Sequence, residues 1–348
     1  MATFALAGSG AMASVWAQTL AALPDHRLVA VASRQTGHAR SQAQAWQAEC
    51  IDPADLPGSA QLTVVANAPP AHADDALRAA AGGSAVIIEA PLSATLAEAD
   101  KLVAAVNGGA RMAYAENLLF APLVRDALRR APSVGPLHYL EARVSQRPLR
   151  HATPDAGWGG GVLFDLGAHV LAVLLAMAGS DPAVAVRAEL QAASADPLAA
   201  DDQARLELTL GSGARAVVEL SWRGISPHWD LQVASAHHAL RLELLPDPHL
   251  EQLGVDLARP ARRYPELESG QLEVFGYIDQ LHELAAELLE GRAPYTSVSF
   301  GRHVLDVLCG AYRSAFTGQA ESLPFTGPRE LTPWQLWRGT SSSVLTRR

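Results

Sequence analysis

Phe4-Ala5-Leu6-Ala7-Gly8-Ser9-Gly10-Ala11-Met12-Ala13 is the stretch from which the rest of the chain is read. Four apolar residues run into two glycines one residue apart, and then into an Ala-rich segment with helical spacing. The pattern predicts a strand over 4–7 and a helix over 12–23, closed by Pro24. Gly8 permits a tight turn, Gly10 leaves the backbone bare for a close approach, and Ala13 lets helix and strand pack tightly. Free N–H groups near Ser9, Ala11 and Met12 then make the helix start an anion site. A GxGxxA run between a first strand and a first helix reads as the cradle for a dinucleotide pyrophosphate. Elsewhere in a chain the same glycines would be an ordinary turn.

Outward from this turn, short apolar runs alternate with helical patterns. Strands are predicted over 28–32, 62–66, 86–89 and 112–115, and helices over 39–48, 73–81 and 95–106. Unbroken apolar strands separated by helices imply a parallel sheet with right-handed crossovers. Residues 1–118 are therefore read as an α/β Rossmann domain. After Pro122 the pattern changes. A helix over 123–130, a strand over 137–146 and a helix over 162–178 lead into strands over 184–192, 204–210, 214–222, 229–235 and 239–245. Helices over 272–290 and 301–317 follow. Adjacent strands flanked by helices indicate an α+β domain, 119–338, built on an open, mostly antiparallel sheet. A Ser/Thr-rich tail, 339–348, closes the chain.

The bulk composition narrows the function classes. With 348 residues, 49% of them hydrophobic, the chain has material for two cores. A net charge of −9 argues against nucleic-acid or anionic-membrane partners and for a small-molecule substrate. Cys50 and Cys309 stand far apart without metal-ligand spacing, so neither a disulfide framework nor a metal site is expected. No basic residue precedes Arg27, so residues 2–17 lack the charged start of a signal peptide, and no apolar run is long enough to span a bilayer. Cytoplasm is the expected compartment.

The second strand ends in Ser33-Arg34, where an Asp or Glu would accept from ribose hydroxyls. A hydroxyl and a guanidinium suit a 2′-phosphate instead, which favours NADP and leaves NAD open.

Four further segments line up with these. Asn67-Ala68-Pro69-Pro70-Ala71-His72 follows the third main strand, and Glu89-Ala90-Pro91 follows the next. Asn117 to Pro122 bridges to the second half, and Gly159-Gly160-Gly161 opens the helix that carries Asp165, Gly167 and His169. Together with Glu290-Gly291-Arg292 and Ser314–Gly318, they make the chain resemble, over nearly its whole length, the glucose–fructose oxidoreductase / inositol dehydrogenase / MocA (Gfo/Idh/MocA) family of sugar and polyol oxidoreductases. The resemblance implies a nicotinamide cofactor held by Gly8–Met12, Ser33, Arg34, Asn67–Pro69, His72 and Glu89–Pro91. It also maps a Glu-Lys-Pro motif onto Glu89-Ala90-Pro91, with alanine in the lysine position. The only lysine in the chain, Lys101, lies eleven residues downstream on the next helix.

Without that lysine, His169 is the remaining acid/base, with Asp165 four residues earlier on the same helical face to orient it. The candidate substrate residues are Asn117, Arg147, Trp158, Asp165, His169 and Tyr277, with Arg150 and His151 in the same loop as Arg147. Each has a plainer reading as packing, capping or surface. Three functions fit: an NAD(P)-dependent oxidoreductase of a sugar, cyclitol or related alcohol or carbonyl; a non-catalytic dinucleotide-binding relative, sensor or assembly subunit; and a lyase or isomerase that uses its cofactor transiently. The open sheet face is expected to be a large apolar surface, and the resemblance implies that it is buried in a homodimer or homotetramer, a use with which the apolar composition is compatible.

Overall fold

The computed structural model describes residues 1–34, 36–148, 158–194, 199–260 and 270–339. The chain forms two compact units. One holds Met1–Phe120 and the described part of Arg263–Arg302, the other the described parts of Ala121–Arg262 and His303–Arg348.

In the first unit the chain runs β1 (Ala2–Ala7), α1 (Ala11–Ala21), β2 (His26–Ala32), α2 (Thr36–Ala45), β3 (Glu49–Ile51), β4 (Leu62–Val65), α3 (Pro69–Ala81), β5 (Ala85–Glu89), α4 (Leu96–Asn107) and β6 (Met112–Ala115). The six strands form one parallel sheet in the order β3-β2-β1-β4-β5-β6. Every residue of β4, β5 and β6 is buried, which is why these strands read as unbroken apolar runs. Strand order reverses between β1 and β4, the switch point at which open α/β sheets bind ligands. β3 escapes sequence detection because Glu49-Cys50-Ile51 is too short to show a period. α3 begins at Pro69 rather than at 73: proline's missing N–H and fixed φ suit a helix's first position.

The expected domain boundary needs a correction. Residues 119–338 do not all belong together, because α7 (Gln271–Val274) and α8 (Tyr277–Leu289) join the first unit. α8 buries Ile278, Leu281, Leu284, Ala285 and Leu288, an i, i+3, i+7 stripe, against β5, β6 and α1. The predicted helix 272–290 is two helices because Gly276 adopts φ +80° between them. Thr296 then ties the segment to β6: Tyr114 N–H donates to the Thr296 carbonyl at 2.9 Å, and the Thr296 hydroxyl donates to the Tyr114 carbonyl at 2.6 Å.

The second unit contains α5 (Pro122–Arg130), β7 (Tyr139–Ser145), α6 (Val162–Ala178), β8 (Ala183–Gln191), β9 (Gln203–Leu210), β10 (Arg215–Ser221), β11 (His228–Ala234), β12 (Ala239–Leu245), β13 (His249–Gln252), β14 (Val255–Ala258), β15 (Glu321–Ser322) and α10 (Pro333–Arg338), with the later part of α9 (Val298–Thr317). Its nine strands run β14-β13-β12-β11-β7-β10-β9-β8-β15, antiparallel except for the β7–β10 pair. Leu140, Ala142, Val144, Leu206, Leu208, Val218, Leu220 and Leu231 alternate inward and are buried. α6 packs on β7, β9 and β10, and α5 on β12 and β13.

The outer face of this sheet is not the apolar surface expected from the composition. Cross-strand register places Glu189, Arg205, Glu219, Arg143 and Asp230 in one row, one charge per strand and alternating in sign. Arg205 meets Glu219 at 2.5 Å and Glu207 at 3.3 Å, Arg215 meets Glu207 at 2.7 Å, and Arg143 meets Glu141 at 2.5 Å. Opposite charges on facing strands support the sheet by a few tenths of a kcal/mol per pair, roughly 0.2–1. The apolar residues that raised the overall hydrophobicity went inward.

Candidate functional site

The first candidate site surrounds the end of β1. Gly8 has φ +123°, and a Cβ there would lie 2.9 Å from the Ala66 and Asn67 backbone just past β4. Glycine is required both for the turn and for this approach. Its N–H donates to the Ala32 carbonyl at 2.8 Å, which joins the turn to the end of β2. Gly10 is the N-cap of α1 and no side chain caps the helix; a Cβ on Gly10 would meet nothing within 4 Å. With no side-chain cap and open space beside Gly10, this electropositive helix end has room for an anion. Ser9 and Ser33 share a hydroxyl hydrogen bond of 2.9 Å across the β1 and β2 ends, and Arg34 is exposed immediately beyond.

Asn67 donates from Nδ2 to Asp75 Oδ2 at 2.5 Å, and Arg78 pairs with the other Asp75 oxygen at 2.6 Å. Asn67 Oδ1 is buried with no hydrogen-bond partner. A buried acceptor of that kind costs about 1–3 kcal/mol until a donor reaches it, and a ribose hydroxyl or a carboxamide N–H would serve. The bare glycine, the uncapped helix and this orphaned oxygen all fit a dinucleotide.

Ala68 is exposed as the N-cap of α3, and Pro69 is its first helical residue. His72 is a correction to the expected cofactor contacts. It is 1% exposed, with Nδ1 2.9 Å from the Pro91 carbonyl and Nε2 2.9 Å from the Asn67 carbonyl. It staples the loops after β4 and β5 and leaves no ring nitrogen for a ligand. Burial pushes it below the usual histidine range, opposed by the carbonyls of Asn67, Pro91 and Leu92.

Glu89, at the end of β5, is buried. It accepts from the indole N–H of Trp16, a fully buried residue on α1, and from the Ala90 N–H at 3.0 Å. Ala90 is partly accessible and joined to Pro91 by a cis peptide. Asn117 is 6% exposed and donates from Nδ2 to the Phe275 carbonyl at 2.8 Å. The structure therefore gives Asn117 a tying role inside the first unit. Tyr277 begins α8 and is partly buried.

A second candidate site, in the second unit, is the first turns of α6. Gly161 caps the helix with no side chain of its own, and the buried carboxylate of Asp201 replaces it. Asp201 Oδ1 accepts from Gly161 N–H at 2.9 Å and Oδ2 from Leu163 N–H at 2.8 Å, while the Asp201 carbonyl accepts from Val162 N–H at 2.8 Å. The Tyr312 hydroxyl, from α9, donates to Asp201 Oδ1 at 2.6 Å and accepts from Gly161 and Phe164 N–H at 3.0 and 3.2 Å. This packing explains the glycines: a Cβ at Gly161 would lie 2.0 Å from the Asp201 carbonyl oxygen, and one at Gly160 2.7 Å from the Tyr312 hydroxyl. α10 closes the same corner, with Trp334 N–H donating to the Gly159 carbonyl at 2.8 Å and Arg338 donating to the Ala199 carbonyl at 2.7 Å.

Asp165 and His169 lie partly accessible on the largely buried α6, one turn apart and close enough to interact electrostatically. Burial pushes Asp165 up to about 6; the neighbouring His169 opposes the rise and Asp201 adds to it. Trp158 packs edge-on against Phe164, ring centroids 5.6 Å apart, and Arg147 is exposed beyond β7. Arg150 and His151 lie outside the described residues. Sequence reading missed Asp201, Tyr312 and Trp16. Their only signals were an Asp doublet ahead of a strand and lone polar-tipped aromatics on apolar helices.

A parallel sheet in this order, with an uncapped glycine turn at its switch point, defines a dinucleotide-binding Rossmann unit. A family model described as "Oxidoreductase family, NAD-binding Rossmann fold" matches residues 2–115, and one described as "GFO/IDH/MocA C-terminal domain" matches residues 126–238. The protein belongs to the Gfo/Idh/MocA family of NAD-binding oxidoreductases. Among solved structures, GenD2 from gentamicin A biosynthesis, in complex with NAD, is 24% identical, with a TM-score of 0.81 over 92% of this chain and 96% of that one. A putative myo-inositol dehydrogenase from Sinorhizobium meliloti 1021 is 20% identical, with a TM-score of 0.77 over 93% of this chain and all (100%) of that one. Levoglucosan dehydrogenase in complex with NADH and L-sorbose is 18% identical, with a TM-score of 0.80 over 94% and 99%. At these identities the likeness is one of fold. No curated protein sequence matches the chain.

Proposed function

We propose that this protein is an NAD(P)-dependent oxidoreductase of a sugar, cyclitol or related alcohol or carbonyl compound, with His169 as its acid/base. The observation that carries the reading is the open, uncapped start of α1 at Gly10, where a side chain would meet no protein atom. A nicotinamide dinucleotide held there supplies the hydride acceptor or donor. Gly8, whose own N–H is taken by the Ala32 carbonyl, would shape the turn. The backbone N–H groups of Gly10, Ala11 and Met12 would hold the dinucleotide's diphosphate, and Asn67 Oδ1 would accept from the dinucleotide. Ser33 and Arg34 favour a 2′-phosphate and so NADP. In the oxidising direction His169 takes the substrate hydroxyl proton at a ring nitrogen, and in reduction it returns it. Asp165 is ionised above about pH 6 and then orients the imidazole N–H and steadies its positive charge. Protonation below that value removes this support, so turnover falls on the acid side.

A second reading has one specific observation behind it. Ala90 replaces the lysine that the resemblance leads one to expect, and Glu89 is already occupied by Trp16 and the Ala90 N–H. On that reading the protein binds the dinucleotide without turning it over, as a sensor or assembly subunit. Fluorescence titration with NADPH and NADH, followed by a panel of polyols and keto-sugars, tests both readings. Tighter NADPH binding with hydride transfer supports the oxidoreductase; binding without transfer supports the second reading. In the latter case Ala90→Lys is expected to raise turnover by about tenfold or more if the rest of the machinery is intact, since one well-placed cation is worth that much. Binding of neither nucleotide ends both readings. The same proposal puts the protein in the cytoplasm as a homodimer or homotetramer, and a clean monomer on size-exclusion chromatography removes the last point. Among the described residues no helix is long and apolar enough to cross a membrane.

A further inference from the structure

A serine or threonine at the N-cap would close the start of α6 with a neutral hydroxyl. The protein uses a carboxylate instead, brought from forty residues away, 0% exposed, and set close enough to Asp165 for the two charges to interact. Burying an anion there costs free energy that a neutral cap would avoid. Its hydrogen bonds reach Gly161 and Leu163, while Tyr312 bridges the carboxylate to Gly161 and Phe164. Asp165 is the next residue along the helix, and His169 lies one turn further.

We propose that Asp201 and Tyr312 are positioning residues for the acid/base pair: they hold the first turn of α6, the helix that carries Asp165 and His169. The inference rests on the proposed roles of Asp165 and His169. Asp201 is faced by Tyr312 from α9, by Arg338 from α10 and by Asp165 from α6; Asp165 is faced by His169 and Asp201. Burial pushes Asp201 up to about 6, opposed by the Tyr312 hydroxyl and the Leu163 and Gly161 N–H groups. Two carboxylates in one buried site resist ionising together, so neutralising one lets the other lose its proton at lower pH.

The test follows the Asp165 carboxyl carbon by NMR across a pH titration, in wild type, Asp201→Asn and Tyr312→Phe, with thermal melts alongside. Asp201→Asn removes the neighbouring charge, and the Asp165 midpoint is expected to fall by about half a unit or more. Tyr312→Phe deletes the donor that favours charged Asp201. Asp201 then keeps its proton to higher pH, and the Asp165 midpoint falls in the same direction by less. Variants that melt earlier while Asp165 titrates as in wild type would make the pair a purely structural cap and overturn the proposal. If Asp201→Asn fails to fold, the Tyr312→Phe titration decides by the same criterion. No turnover is needed, so a protein that fails to transfer hydride defeats the functional reading and leaves this result standing.

Discussion

Two glycine turns open two helices in this protein, and they are used in opposite ways. Gly8-Ser9-Gly10 leads into α1, Gly159-Gly160-Gly161 into α6, and in neither does the N-cap residue carry a capping side chain. At Gly10 a Cβ would meet nothing within 4 Å, whereas at Gly161 it would lie 2.0 Å from the Asp201 carbonyl oxygen. The first helix start is left for a ligand; the second is filled by the protein's own carboxylate and hydroxyl. A glycine run before a helix signals close approach of something to the backbone, but not whether that something comes from inside or outside the chain.

The contrast breaks most visibly at Gly161. Gly161→Ala drives a methyl into backbone, which cannot yield as a flexible side chain can, and the expected loss is about 4 kcal/mol or more, or no folded protein. Circular-dichroism melts check this, and a variant that melts like wild type removes the account of the second turn. Gly10→Ala sharpens the other side. Its φ of −86° suits alanine, so stability should hold or rise by about 0.4–1 kcal/mol. Dinucleotide affinity should nevertheless fall by about tenfold or more, about 1.4 kcal/mol. Retained affinity would mean that the diphosphate does not sit there.

A smaller effect concerns pH. Asp165 and Asp201 bind their protons more tightly folded, at about 6, than at the ordinary 3.8. Between those values the folded state holds more protons than the unfolded one, so their contribution to stability is fullest below about pH 3.8 and is lost as pH rises through about 6. Asp201→Asn should flatten that slope in urea titrations run from pH 4 to 7. An unchanged slope would mean that other groups set it. The smallest effect belongs to the outer sheet face: Arg205→Ala should cost no more than about 1 kcal/mol, and less in high salt, because its partners are exposed.

Legibility from sequence followed burial. β4, β5 and β6 are buried along their whole length and stand out as apolar runs, and the strands of the second sheet alternate cleanly. The glycine turn at β1 was readable because strand, turn and helix are consecutive. His72 reads from sequence equally as a ligand contact or as a packing residue, since nothing local shows that its two nitrogens meet the Asn67 and Pro91 carbonyls. α8 was placed with the wrong unit because a helix's apolar stripe says that it packs, not on what. The apolar composition suggested a greasy outer sheet face, yet alternation sent those residues inward and left Glu189, Arg205, Glu219, Arg143 and Asp230 outside.

By itself the sequence determined the two-part architecture, the dinucleotide turn and the Asp165–His169 helix, because each is encoded by residues adjacent in the chain or one turn apart. Only the tertiary structure decided which glycine turn stays open, which acid closes the other, and where Trp16, Asn117 and His72 direct their polar atoms. Those outcomes depend on partners from 5 to 158 residues away, and no local pattern constrains contacts made across that distance.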